Sequence, residues 1–162
     1  MTKKEIKSQL DYYVEKYNTI NFIKDDPISI VHKFSKKEDI EIIGLIMATI
    51  SWGNRKSIIK NGIHLIRIMN NKPYEFIMNY KDEEIHHLLK FKHRTFNSFD
   101  LHFFILRIQH IYLKRGGLEK VFTDGFKINK TADEAINYFR KCFITNEFEN
   151  IRTKKHVANP NN

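Results

Sequence analysis

Two short stretches carry the side chains best suited to chemistry on a polyanion. Ser51-Trp52-Gly53-Asn54-Arg55 reads as a turn followed at once by Lys56, so small and polar groups stand beside two cations where a helix begins. A helix N-terminus offers free N–H groups. Arg55 and Lys56 there suit a phosphate, and Trp52 or Asn54 suits an unstacked base. Lys92-His93-Arg94-Thr95 sets three potentially cationic side chains in a loop ahead of another helix, which suits contact with a nucleic-acid backbone. The competing readings are a capped turn with Trp52 plugging the core, and a solvated loop. Between the two stretches, Lys56, Lys60, His64 and Arg67 recur at spacings of four, four and three. They share one helix face, either a basic stripe for a polyanion or an ordinary solvated surface.

Other chemistry is poorly provided for. Of the eight histidines, no pair has metalloprotease spacing. His86 and His87 are adjacent and point about 100° apart on a helix. His102 and His110 lie two turns apart, with Asp100 near His102. Cys142 falls on the apolar face of its helix and reads as a small buried hydrophobe, not a nucleophile. Gly116-Gly117 is a helix stop, not a phosphate cradle. No carboxylate pair stands out as an acid/base couple. The sequence therefore assigns no catalytic residue, metal site or cofactor.

The bulk numbers agree with a polyanionic partner without requiring one. The chain has 162 residues, 28 Lys plus Arg against 19 Asp plus Glu, and a formal charge of +9. Such a balance points first to nucleic acid and second to an anionic membrane surface, although a lysine-rich surface can stand without a partner. Hydrophobic residues at 41% suffice for one core. No apolar run approaches the roughly 20 residues of a membrane span, and the charged start lacks a secretory signal, so a cytoplasmic location is expected.

Positioning of those stretches falls to helices. Ile6, Leu10, Tyr13, Val14 and Tyr17 make one stripe of a helix over about 3–18. Ser35 and Glu38 have capping-box spacing ahead of a nearly all-apolar helix that runs to about Trp52. Gly44 in that helix is expected to permit a close crossing. The next helix, to about Asn70, turns Ile59, Ile63, Ile66 and Met69 inward. Short helices follow at 73–80 and 82–91, then a loop at 90–97. A long helix starts at Asn97 or Ser98 and stops at Arg115-Gly116-Gly117. Leu118–Phe122 reads as one more turn. Thr131 and Glu134 open a last helix that turns Ala135, Tyr138, Phe139, Cys142 and Phe143 inward. Residues 149–162 read as a polar tail after a single domain at 1–148. The expected fold is all-α, an orthogonal bundle of about 6–8 helices around a buried central helix.

The order of a buried helix, small-residue turn, basic helix, short helices, loop and long amphipathic helix resembles the first half of the helix-hairpin-helix DNA glycosylases, the endonuclease III-like fold. There the turn enters the duplex and a later loop supplies a wedge. Glu41–Arg55 and Lys92–Thr95 would match them. A closer resemblance is to an uncharacterised bacterial family of unknown function. It is carried by Asp26-Pro27-Ile28 with His32-Lys33-Phe34, Asp39-Ile40-Glu41-Ile42-Ile43-Gly44, Trp52-Gly53-Asn54-Arg55 and His93-Arg94-Thr95. The glycosylase turn carries a gap-filling glutamine, where Gly53 or Asn54 stands here. Nothing in 121–162 resembles the helix-hairpin-helix motif, its lysine or its catalytic aspartate. The chain is thus expected to correspond to the N-terminal part of a longer protein.

Three functional expectations follow. The first is a nucleic-acid-binding, repair-related domain contacting double-stranded DNA through Trp52, Asn54, Arg55, Lys56, Lys60, Lys92, His93, Arg94 and Thr95. The second is a nucleobase-acting enzyme completed by a C-terminal half or another chain, inactive alone and glycosylase/lyase-like if complete. The third is a helical protein-interaction module with an exposed apolar patch around Phe139, Phe143 and Phe148.

Overall fold

Apolar residues at spacings of three and four, with few glycines between them, build a helical chain. The computed structural model describes residues 1–149 and 151–161. Its helices are α1 (Lys3–Tyr17), α2 (Ile20–Ile23), α3 (Ile28–Val31), α4 (Lys37–Ile50), α5 (Arg55–Ile68), α6 (Pro73–Asn79), α7 (Ser98–Arg115), α8 (Leu118–Asn129) and α9 (Ala132–Phe143). Segments of 3-10 helix lie at Asp82–Leu88, Asn146–Phe148 and Arg152–His156, and two-residue strands β1 (Lys92–His93) and β2 (Phe96–Asn97) form one hairpin. The fold is all-α apart from that hairpin. None of the helices, among the described residues, is long and apolar enough to cross a membrane.

The core joins Ile42, Ile43, Ile46 and Ile50 of α4 to Leu65 of α5, Ile77 of α6, Leu101, Phe104 and Ile108 of α7, and Phe143 of α9. Helix α4 is central, but it is not covered all round. Ile40 and Ala48 are exposed, and a Cβ added at Gly44 would meet nothing within 4 Å. Gly44 thus faces an open groove instead of a helix crossing. The close crossing belongs to Gly62 of α5, where an added Cβ would lie 2.8 Å from Ile30 Cγ1 and 2.9 Å from Met47 Sδ. The buried edge of α5 is accordingly Ile58, Gly62, Leu65 and Ile66, continuing to Met69 beyond its end. Ile63, expected inward, is one position off that edge and 37% exposed beside the basic residues.

Local chemistry corrects other expectations. Ser35 does not cap α4, because the helix starts one residue later with Lys36 in the cap position and no side-chain cap bond. Thr131 does cap α9, accepting from the Glu134 N–H at 3.2 Å. Leu118 opens a twelve-residue helix, not a single turn; α8 packs on α9 where Gly125 lets the backbones approach. Phe139 and Phe143 are core residues and Phe148 packs against them, so no exposed patch exists there. The segment expected as a polar tail is part of the body. Thr153 and Val157 are buried, and the Arg140 guanidinium donates to the carbonyls of Lys154 and Val157.

Candidate nucleic-acid interface

The first stretch is a helix exit and a helix entrance set back to back. Ser51 Oγ donates to the Met47 carbonyl at 2.7 Å and closes the last turn of α4. Gly53 then takes φ +102°, which L side chains rarely adopt, and turns the chain toward α5. Asn54 Oδ1 accepts from the Ser57 N–H at 3.2 Å as the N-cap of α5. That bond occupies Asn54's carbonyl oxygen, so a contact with a base is not its free choice. Trp52 is 36% exposed, a surface side chain and not a plug of the core.

The second stretch, expected as a loop, is the tip of the hairpin. His93 pairs with Phe96, and Arg94 and Thr95 make the two-residue turn. Arg94 stands at φ +53°, an uncommon position for a long side chain, with a cost of order 1 kcal/mol. Burial alternates as a strand requires: Phe91, His93 and Phe96 point inward, while Lys92, Arg94 and Thr95 are exposed.

His93 welds the two stretches together, which corrects its expected role as a surface cation. Its ring is 1% exposed. Nε2 lies 3.1 Å from the Trp52 carbonyl oxygen and Nδ1 lies 2.8 Å from Asn61 Nδ2. Nε2–H therefore donates and Nδ1 accepts, so both ring nitrogens are used within the fold. The Trp52 and His93 rings meet edge to face at 5.9 Å. On the outside, the Arg94 guanidinium carbon sits 4.6 Å from the centre of the Trp52 ring, a cation–π contact. Arg94 Nη1 and Cδ both lie 3.1 Å from where a Cβ of Gly53 would stand, so the absence of a side chain at 53 makes room for them.

A third segment grips the hairpin from behind. Asp100, in the first turn of α7, is fully buried. Its carboxylate accepts from Arg152 Nη1 at 2.7 and 2.5 Å, from Thr153 Oγ1 at 2.7 Å and from the Asn97 N–H at 2.9 Å. Burial alone would raise the Asp100 carboxyl; the Asn97 N–H, Arg152 and Thr153 more than offset this and hold it below the usual carboxylate value. Arg152 Nη2 also donates to the Thr95 carbonyl at 2.7 Å, inside the turn that carries Arg94. Asp100 is thus committed to Arg152, not to His102. His102 instead bridges Tyr80 Oη and Asp82 Oδ1, each at 2.9 Å. Burial, reinforced by Glu84 and Asp82, pushes the Tyr80 hydroxyl up to about 12.

The resulting surface is cationic and unneutralised. Among the described residues, no carboxylate lies within ion-pair distance of Arg55, Lys56, Lys60, Arg67, Lys92 or Arg94. Lys56, Lys60, His64 and Arg67 line a shallow depression of about 500 Å³ together with Asn61, the residue that holds His93. Spacing alone had missed Asn61, Arg152 and Thr153, and had left Asp100 unassigned. A signal for the patch was present: residues 42–74 and 85–99 contain no Asp or Glu and carry five and three Lys or Arg, a net +8 against +9 for the whole chain.

These elements all lie inside residues 26–162, which match the model of the family described as Protein of unknown function (DUF2400). The chain belongs to that family. No curated protein and no solved structure matches it.

Proposed function

We propose that this chain is a nucleic-acid-binding domain that grips the phosphate backbone of double-stranded DNA across the Trp52–Lys56 turn and the Lys92–Thr95 hairpin. The observation that carries this reading is the Arg94 guanidinium lying 4.6 Å over the Trp52 ring, three residues from Arg55. It unites two cationic stretches that are 40 residues apart along the chain. Arg55, Lys56, Lys60, Lys92 and Arg94 are the phosphate ligands in this reading, with the Thr95 hydroxyl as a neutral donor. Trp52 is the side chain placed to stack on an unpaired base. Asn54 and His93 support the surface instead of touching the ligand.

The resemblance of the helix order to the first half of the helix-hairpin-helix glycosylases is the reason to rank duplex DNA above other polyanions and to read the role as repair-related. In this reading the chain supplies the grip and no catalytic group.

The test is duplex binding at two salt concentrations. Each phosphate contact contributes about 0.9 to the slope of log affinity against log salt. Arg55→Glu/Arg94→Glu is expected to weaken binding at least tenfold and to lower that slope by about two. Affinity and slope unchanged from the parent chain would refute the reading.

A further inference from the structure

The segment that backs the hairpin contains one polar atom left without a partner. Arg152–His156 docks through buried Thr153 and through buried Val157 just beyond it. The His156 side chain between them is 6% exposed. Its Nε2 is, among the described residues, the one buried side-chain nitrogen or oxygen with no hydrogen-bond partner. Such an orphan is rare, because it has given up water and gained no bond in return. Nε2 lies 3.6 Å from Asp100 Oδ2, within ion-pair range but too far for a hydrogen bond. The Phe96 ring meets the imidazole edge to face at 5.1 Å and covers it on the hairpin side.

The charges around this ring leave no room for another cation. Helix α7 contributes Asp100, and the segment itself contributes Arg152, which already holds that carboxylate, and Lys155. The hairpin faces His156 with the Thr95 backbone and the Phe96 ring, and its own imidazole, His93, is bonded elsewhere at both nitrogens. Helix α9 contributes Arg140, which donates to the Lys154 and Val157 carbonyls on either side of His156. Lys154 is paired with Glu149. One carboxylate thus answers three cations before His156 carries any charge. A proton on the ring adds a fourth in a closed site. Burial holds the imidazole below its ordinary value; Asp100 and the Thr95 backbone oppose this, and Lys155 and Arg152 reinforce it.

We propose that residues 152–157 are an acid-released latch on the hairpin with His156 as its trigger, closed while the imidazole is neutral and opened when mild acid charges it. Opening withdraws Arg152 from Asp100 and from the Thr95 carbonyl, so the turn that presents Arg94 loses its backing whatever ligand it meets. The sign follows from proton linkage. The open ring, with an ordinary value near 6.5, binds a proton more readily than the closed one. The opening constant therefore rises as pH falls from about 6.5, by at most tenfold per pH unit, and levels off below the closed ring's lower value. This window lies above that of Asp100, whose carboxyl takes its proton below the usual carboxylate value.

Hydrogen exchange followed by NMR reads the opening without any ligand. The Lys154 and Val157 amides donate to the Ile151 and Lys154 carbonyls and report on the segment. After correction for intrinsic exchange, their protection in the parent chain is expected to fall at least threefold between pH 6.5 and 5.5, while the amides of α4 keep theirs. In His156→Leu, which cannot titrate there, it is expected to stay level. The emission of Trp52, the chain's one tryptophan, should shift to the red over the same interval in the parent and not in the variant, since its ring rests against His93 and Arg94. If the leucine does not seat and the segment is open at every pH, the parent's His156 Cε1–H signal decides: it must titrate in step with the loss of protection. Level protection in the parent from pH 7.5 to 5.5 overturns the inference. So does an equal pH-dependent loss in His156→Leu, or a ring that takes its proton while the segment stays protected.

Discussion

Two arginines belong to the same hairpin region, and they are treated differently. Arg152 comes from the C-terminal 3-10 segment and donates to buried Asp100 and to the Thr95 carbonyl. Arg94 sits on the turn itself, rests on the Trp52 ring and, among the described residues, has no carboxylate within reach. The first holds the hairpin in place; the second is held out by it. A cation whose charge is answered inside the fold serves the fold. One supported by an aromatic face keeps its charge free, as the proposed phosphate contact requires.

Removing each arginine should break that contrast in opposite directions. Arg152→Ala leaves Asp100 buried without its cation and is expected to cost roughly 3 kcal/mol, read as a fall in denaturant midpoint. Arg94→Ala should change stability by no more than about 0.5 kcal/mol yet weaken duplex binding about tenfold. Comparable stability losses for the two would erase the distinction.

The same ion pair gives a pH signature. Asp100 is held below the ordinary carboxylate value, so its contribution is complete above about pH 4 and is lost as pH falls through the lower folded value. Acid unfolding monitored by circular dichroism should therefore begin at higher pH in Arg152→Ala than in the parent chain, and should not move in Arg94→Ala.

His93→Ala sharpens the comparison from within the hairpin. It strips partners from the Trp52 carbonyl and Asn61, with an expected cost of about 2 kcal/mol. It should also weaken DNA binding although His93 itself is buried, because Trp52 and Arg94 lose their common anchor. A variant that loses stability and keeps full affinity would show that the weld does not position the site.

The two glycines of the central helices provide the smallest effects. Gly62→Ala forces a Cβ against Ile30 and Met47 and should destabilise by about 1–2 kcal/mol. Gly44→Ala meets open space, and the gain in helix propensity should stabilise by up to about 1 kcal/mol.

Much of the fold was legible because it depends on local period. The apolar run of α4, the stripe of α7 and the stop at Gly116, which takes φ +80°, follow from spacing and backbone freedom alone. The two cationic stretches were legible as residue types. Their junction was not, because it depends on His93 reaching the Trp52 carbonyl across 41 positions and Asn61 across 32. The exchanged roles of Gly44 and Gly62 were hidden for the same reason: propensity marks a glycine in a helix as odd but does not say whether a neighbour or open space lies beyond it. The tail at 149–162 looked polar because its anchors are Arg140, Arg152 and Thr153, which work by hydrogen bonding and not by apolar period.

The most direct measurement follows backbone amide signals by NMR while a short DNA duplex is added at low salt. The account predicts shifts concentrated at residues 52–60 and 92–95, with α9 and the Asn146–Phe148 turn undisturbed. Shifts spread evenly over the lysines of the whole surface, or absent from both stretches, would contradict it.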